Sequence, residues 1–293
     1  MTPSQAGVAA RLFPAAKGLD PGIAEKRARL ESILRSMGRT LVAFSGGVDS
    51  SLLLSEAGRV LGAGAVGVIA RSASLPEVEY RDAVALAAER GVALRTLETR
   101  EIEREAYRAN TGDRCYHCKA ELFERLEALC GEEGFESLAY GAVTDDLGDV
   151  RPGMKAAEIF RVRAPLLEAE LSKLEVRILA RHVGLRVWDK PQSACLASRI
   201  PVGSEVTESK LNQVERAEAW IRDTFQIRVV RVRHHGRAAT VEVSRQDVDL
   251  LSRAESREAL ARALRRIGFA EVTVDPRGYR RNDPYPIDIK GDM

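Results

Sequence analysis

No run of apolar residues in this 293-residue chain approaches the roughly 18 that a bilayer span requires, so no membrane segment is expected. Cysteine is scarce: four in the whole chain are too few for a disulfide scaffold. They suit a reducing compartment, where a cysteine is buried, metal-binding or catalytic. Neither sign of charge is in excess. Lys and Arg number 45 against 43 Asp and Glu, a formal net charge of +2, which argues against an electrostatically driven nucleic-acid binder. Histidine is equally scarce, and His117, His182, His234 and His235 show no metalloenzyme spacing; the last two read as the surface of a hairpin. Trp188 and Trp220 read as packing residues. Repeats and low-complexity tracts are missing too. Residues 1 to 19 contain no acid but include Arg11 and Lys17, and lack an apolar signal core. A loose tail is expected through residue 24, ahead of a cytoplasmic protein.

The rest of the chain is long enough for two cores, and its patterning changes near residues 203 to 207. Before that point short apolar runs alternate with amphipathic ones. Leu41 to Phe44, Ala65 to Ala70, Val92 to Leu97, Ser137 to Gly141 and Ile159 to Val162 read as strands. Ser50 to Val60 reads as a helix. Ser74-Leu75-Pro76-Glu77 and Ser172-Lys173-Leu174-Glu175 have capping-box spacing, and open helices that stop at Gly91 and Gly184. Strands alternating with helices predict an α/β, doubly wound parallel sheet over 25–205. Beyond it, Leu211, Val214, Ile221 and Phe225 fall at helical spacing. Arg228 to His235 and Ala238 to Val243 then alternate around His235-Gly236-Arg237, a hairpin signal. A helical stretch to Gly268 and a strand at Glu271 to Asp275 complete a smaller α+β domain over 206–293.

Ser45-Gly46-Gly47-Val48-Asp49-Ser50 directly follows the first strand and opens the first helix. Adjacent glycines let backbone N–H groups converge on one anion, and a helix N-terminus adds positive potential. Ser45 and Ser50 can donate to phosphate oxygens, and Asp49 can hold magnesium. The Gly-Lys-Ser/Thr ending of a Walker A loop is absent. With this loop the chain resembles the PP-loop ATP pyrophosphatases, which cleave ATP between the α- and β-phosphates. The resemblance implies ATP at the carboxyl ends of the strands, with Ala70, Arg71 and Ser72 near the adenosine. It also implies a second nucleotide-side loop at Gly141 to Asp146, where Asp145 and Asp146 could equally be a solvated turn.

Cys195 stands in Lys190-Pro191-Gln192-Ser193-Ala194-Cys195-Leu196-Ala197-Ser198-Arg199-Ile200-Pro201, held out of regular structure by its two prolines. Lys190 and Arg199 would favour its thiolate, as a nucleophile requires. On pattern alone a structural cysteine is as good a reading. SGGVDSS, Arg114-Cys115-Tyr116-His117-Cys118-Lys119, Gly141 to Gly153 and ACLASRIP together resemble the LarE family, ATP-dependent sacrificial sulfur transferases of nickel-pincer (lactate racemase) cofactor assembly. The likeness runs from about residue 25 to the end.

That resemblance implies that ATP and magnesium activate a carboxylate of an anionic pyridinium mononucleotide as its adenylate. Cys195 then surrenders its sulfur and becomes dehydroalanine. Arg231 and Arg233, two apart on one strand face, would bind the anionic substrate, unless they are merely an exposed hairpin face. Glu218, Glu242 and Asp249 would join Asp49 as metal ligands. A homo-oligomer is expected, with no nucleic-acid or membrane partner. Cys115 and Cys118 form a CxxC with too few companions for zinc or an iron–sulfur cluster, and Cys130 sits on an apolar helical face. No further cysteine lies near Cys195 in sequence, which favours sulfur sacrifice over cluster chemistry. The rival readings are a tRNA thiolase or amidotransferase of the same PP-loop class, or a nucleotide-binding regulator without catalysis.

Overall fold

Apolar residues at 41–44 alternate between two faces, and each face is covered, which places this strand at the centre of the main sheet. The structure, a computed structural model, describes residues 18–147, 152–191 and 194–279. Its four-stranded sheet has the order β3-β2-β1-β4, where β1 is Thr40–Ala43, β2 Ala65–Arg71, β3 Ala93–Glu98 and β4 Ser137–Tyr140. All pairings are parallel, with Thr40 opposite both Ala65 and Ser137. Leu41 and Ala43 pack on one side with Val66, Phe123 and Leu126. Val42 and Phe44 pack on the other with Leu30, Leu53, Val176 and Leu179. A parallel sheet buried on both faces is the doubly wound arrangement expected of this pattern. The order reverses on either side of β1, and ligands bind at such a switch point beyond the carboxyl ends of the strands.

Helix α1, Pro21–Arg35, starts where Asp20 accepts from the Gly22 and Ile23 amides, so residues 21–24 belong to this helix and not to a tail. Residues 1–17 of the expected tail lie outside the described residues. Helix α2, Val48–Leu61, follows β1. Helix α3, Glu77–Glu89, starts without the capping box expected of Ser74. Pro76 takes the cap position there, and Glu215 Oε1 accepts from the Glu77 amide instead (2.7 Å). The Ser172 box does form: Ser172 Oγ accepts from Glu175 N, and Glu175 Oε2 from Ser172 N, opening Lys173–His182. The strand expected at 159–162 is not formed. A helix over Pro152–Ile159 ends there, Arg161 turns into the left-handed region (φ 51°), and only Arg163 bridges to Ala139.

The second sheet has the order β5-β6-β7, where β5 is Val230–His235, β6 Ala238–Val243 and β7 Glu271–Val274. Strands β5 and β6 form the antiparallel hairpin, while β7 joins parallel to β6. The expected helical stretch before Gly268 is two helices, Arg245–Ser252 and Ala254–Ile267. With Glu208–Phe225 they cover the sheet through Ile221, Val232, Val241, Leu251, Leu260 and Phe269. Between the two cores, Tyr107, Leu196, Ala197 and Ile200 pack with Val206, Leu211 and Val214. Among the described residues no helix is long and apolar enough to cross a membrane.

Candidate functional site

The turn after β1 is closed by its own serines. Ser50 Oγ accepts from the Ser45 amide (3.2 Å), lies 3.1 Å from Ser45 Oγ and donates to the Gly47 carbonyl (3.2 Å). Gly46 takes a positive φ of 70°, and a Cβ there would stand 2.9 Å from that of Ala83. Helix α2 begins on Gly47 with no side-chain cap, so its first amides keep no competing internal acceptor.

Asp49, in the first turn, is partly buried and ion-paired to Lys173, a residue whose local sequence signals only the start of a helix. Its second oxygen, Oδ1, is buried without a partner. Burial pushes the Asp49 carboxyl above its usual range, and Lys173 works against that shift. The loop after β4 presses against this turn: a Cβ on Gly141 would lie 2.8 Å from the Ser50 nitrogen. Asp145 and Asp146 are not a free solvated turn. Asp145 Oδ2 accepts from the Lys173 amide (2.7 Å) and Asp146 Oδ2 from the Val143 amide (3.0 Å).

Ser45, Gly47, Asp49, Ser50, Ala70, Ser72 and Gly141 line one cavity of about 370 Å³, and Cys195 lines it with them. Arg71 is directed elsewhere, pairing with Glu77 and stacking over Tyr80. Several hydrogen bonds hold the cysteine loop in place. The Leu196 amide donates to Ser74 O (2.9 Å), Arg114 Nη1 to Ala197 O (2.8 Å), and Arg199 Nη1 to both Ala194 O (2.5 Å) and Cys195 O (2.8 Å). Gln192 and Ser193 of this loop, and 148–151 of the Gly141 to Gly153 segment, lie outside the described residues.

The two cations expected to favour the thiolate are engaged elsewhere. Lys190 pairs with Glu79 (2.5 Å) and donates to Gly46 O, while Arg199 pairs with Glu218. Cysteines far off in sequence do come near, so the isolation of Cys195 that favoured sulfur sacrifice over cluster chemistry holds in sequence only. Cys115 and Cys118 line the same cavity as Cys195, because helix α4, Arg114–Glu133, starts at its wall. Burial, then the Glu101 charge, pushes the Cys118 thiol up to about 12, so it keeps its proton at neutral pH. Cys130, on the same helix, packs against the core as expected. Glu101, Tyr107 and Lys119 also line the cavity and were missed. Glu101 falls in an acidic, aperiodic stretch that reads as solvated, and Tyr107 carries no local motif.

The second-domain residues lie as follows. Arg233 donates to Glu242 (3.1 and 2.9 Å) and to Ser198 O (3.0 Å), which fastens the hairpin to the cysteine loop. Arg231 lies over the Tyr279 ring and donates to Val230 O. It lines a second cavity of about 420 Å³ with Glu79, Lys190, Pro191, Arg222 and Arg228, and not the one that holds Cys195. Burial, reinforced by Arg199, lowers the Arg231 pKa.

The four acids expected as metal ligands are not assembled. Glu218 is 1% exposed and occupied by Arg199 and the Val232 amide, Glu242 is taken by Arg233, and Asp249 is exposed on Arg245–Ser252. Among the described residues no three His, Cys, Asp or Glu side chains are grouped to hold a metal ion. His234 corrects the surface reading of the hairpin. It is 3% exposed, packs edge-on to Phe269 and bonds Gln213 through Nε2 (3.0 Å), because strand alternation turns it inward and His235 outward.

No family model matches the chain. It is 39% identical over 255 residues to an uncharacterized protein of Synechocystis sp., spanning 87% of this chain and 95% of that one. It is 34% identical over 260 residues to the pyridinium-3,5-bisthiocarboxylic acid mononucleotide synthase of Lactiplantibacillus plantarum, spanning 88% and 93%. An uncharacterized protein of Methanocaldococcus jannaschii is 25% identical over 245 residues, 83% of this chain and 91% of its own.

Proposed function

Since this chain belongs to the LarE family, that of the Lactiplantibacillus plantarum synthase, we propose that it is an ATP-dependent sulfur transferase acting on a pyridinium carboxylate mononucleotide in nickel-pincer cofactor assembly. One observation carries the reading: the phosphate loop and Cys195, 145 positions apart from Ser50, line a single cavity. An activated carboxylate formed at the loop therefore forms beside a thiol.

In this reading ATP lies with its phosphates on Ser45 to Ser50 and its adenosine beside Ala70 and Ser72. A substrate carboxylate attacks the α-phosphorus and pyrophosphate leaves. The Cys195 sulfur displaces AMP and forms a thioester. Loss of the Cys195 Cα proton and cleavage of its Cβ–S bond release a thiocarboxylate and leave dehydroalanine. Magnesium fits the unpartnered Oδ1 of Asp49, and when bound it would neutralise phosphate charge. Lys173 orients the same carboxylate through its other oxygen.

Intact-protein mass spectrometry, with AMP and pyrophosphate assays, tests the proposal on chain incubated with ATP and pyridinium-3,5-biscarboxylate mononucleotide. The chain is expected to lose the elements of hydrogen sulfide at Cys195, with product levelling off near one sulfur per chain. Cys195→Ala is expected to keep releasing pyrophosphate and to form no thiocarboxylate. ADP as the main product, or many turnovers without added sulfide and with Cys195 intact, would refute it.

A further inference from the structure

Four glutamates are buried among the described residues: Glu56, Glu101, Glu121 and Glu218. Three are neutralised. Glu56 is held by Arg27 and Arg59, Glu121 by Arg104, and Glu218 by Arg199. Glu101 is 2% exposed, its carboxylate has no ion pair or hydrogen bond among the described residues, and its oxygens are not sealed in the protein but open on a cavity. A carboxylate of so little exposure that faces a cavity without a counter-charge marks a place where a ligand or a reaction can use it. Glu101 lines the cavity that contains Cys195, and its charge acts on Tyr107 and Cys118, the same two groups on which Cys195 acts.

Several other groups in this cavity are unsuited to accept a proton. Burial holds the Cys118 thiol and the Tyr107 hydroxyl protonated, and Tyr107 is further committed to Ser74 Oγ (2.5 Å). Asp49 is paired with Lys173, and Arg114 has no acceptor atom. Next to the reacting carbon, the Cys195 carbonyl oxygen receives two donors, the Ser198 amide (2.9 Å) and Arg199 Nη1 (2.8 Å). Arg199 is itself 1% exposed and braced by Glu218 through Nε (2.8 Å) and Nη2 (3.2 Å). A guanidinium fixed on a carbonyl oxygen is placed to take up charge that builds there when the adjacent Cα loses its proton.

Resting on the sulfur-transfer reading, we propose that Glu101 is the base that removes the Cys195 Cα proton, and that Arg199 and the Ser198 amide stabilise the resulting enolate. Glu101 becomes the carboxylic acid. The freed electron pair passes through the enolate into a Cα=Cβ double bond. The Cβ–S bond breaks with its pair on sulfur, and the substrate leaves as a thiocarboxylate anion. No oxidant or reductant enters.

The test is Glu101→Gln, of nearly the same volume. With ATP and the biscarboxylate mononucleotide, this variant is expected to release pyrophosphate at the wild-type rate. It should then stall as a chain heavier by the bound acyl group, an adduct that hydroxylamine removes to return unmodified Cys195. Thiocarboxylate release is expected to fall roughly a hundredfold or more. Glu101→Asp keeps a carboxyl at this site, and is expected to slow the same step at least about tenfold through lost aim, with early steps unchanged. Elimination at the wild-type rate in either variant overturns the proposal. So does loss of pyrophosphate release in a folded Glu101→Gln chain, which would make the residue a binding group. Absence of pyrophosphate release in the wild-type chain refutes the sulfur-transfer reading, and this inference with it.

Discussion

His234 shows what a single side chain owes to its surroundings. Its ring is buried beside Phe269, with Nε2 on Gln213 and Nδ1 unpartnered. Burial, with Lys210 and His235 near, holds its pKa below the usual value. The folded state therefore favours the neutral ring. Its contribution to stability is full above the unfolded pKa of about 6.5, and is lost as pH falls through the lower folded value. Melting temperature followed from neutral to acid pH should fall less steeply in His234→Phe than in the wild-type chain. The sequence offered two adjacent histidines with no distinction between them; only the strand's alternation, set by pairing with Ala238 to Val243, turned one inward.

Among the elements, the phosphate loop is stable because the loop after β4 is packed against it. A methyl group at Gly141 would meet the Ser50 nitrogen at 2.8 Å and the Asp49 carbonyl carbon at 3.0 Å, and backbone cannot swing aside. Gly141→Ala is expected to cost about 1–3 kcal/mol in urea unfolding and to weaken ATP binding, measured by calorimetry. Wild-type stability and affinity together would show that the two loops move apart freely. The two capping boxes make the same point from opposite sides. Ser172 caps because its partner lies three residues away. Ser74 does not, since Pro76 starts the helix later and Tyr107, from a distant segment, takes its hydroxyl. Local spacing can be read when the partners are local.

For the molecule as a whole, the Arg199–Glu218 pair joins the cysteine loop to the second core, since Glu218 also accepts from the β5 backbone at Val232. Removing the acid leaves a buried guanidinium without its counter-charge. Glu218→Ala should therefore lose about 3–5 kcal/mol, measured by urea unfolding. The magnesium dependence of its pyrophosphate release should stay unchanged while sulfur transfer slows; a shifted magnesium requirement would instead restore Glu218 as a metal ligand. By itself the sequence determined the alternating α/β pattern, the glycine turn Ser45–Ser50 between strand and helix, and the proline-bounded loop of Cys195, because each rests on hydrophobic period or on residues adjacent in the chain. Tertiary structure alone decided that Cys115 and Cys118 share the cavity of Cys195, that Lys173 holds Asp49, that the arginines of β5 are engaged with Glu242 and Tyr279, and that Glu101 is buried without a cation. Each of these depends on which surfaces the sheet brings together across tens of residues, and on charges whose partners are chosen by packing.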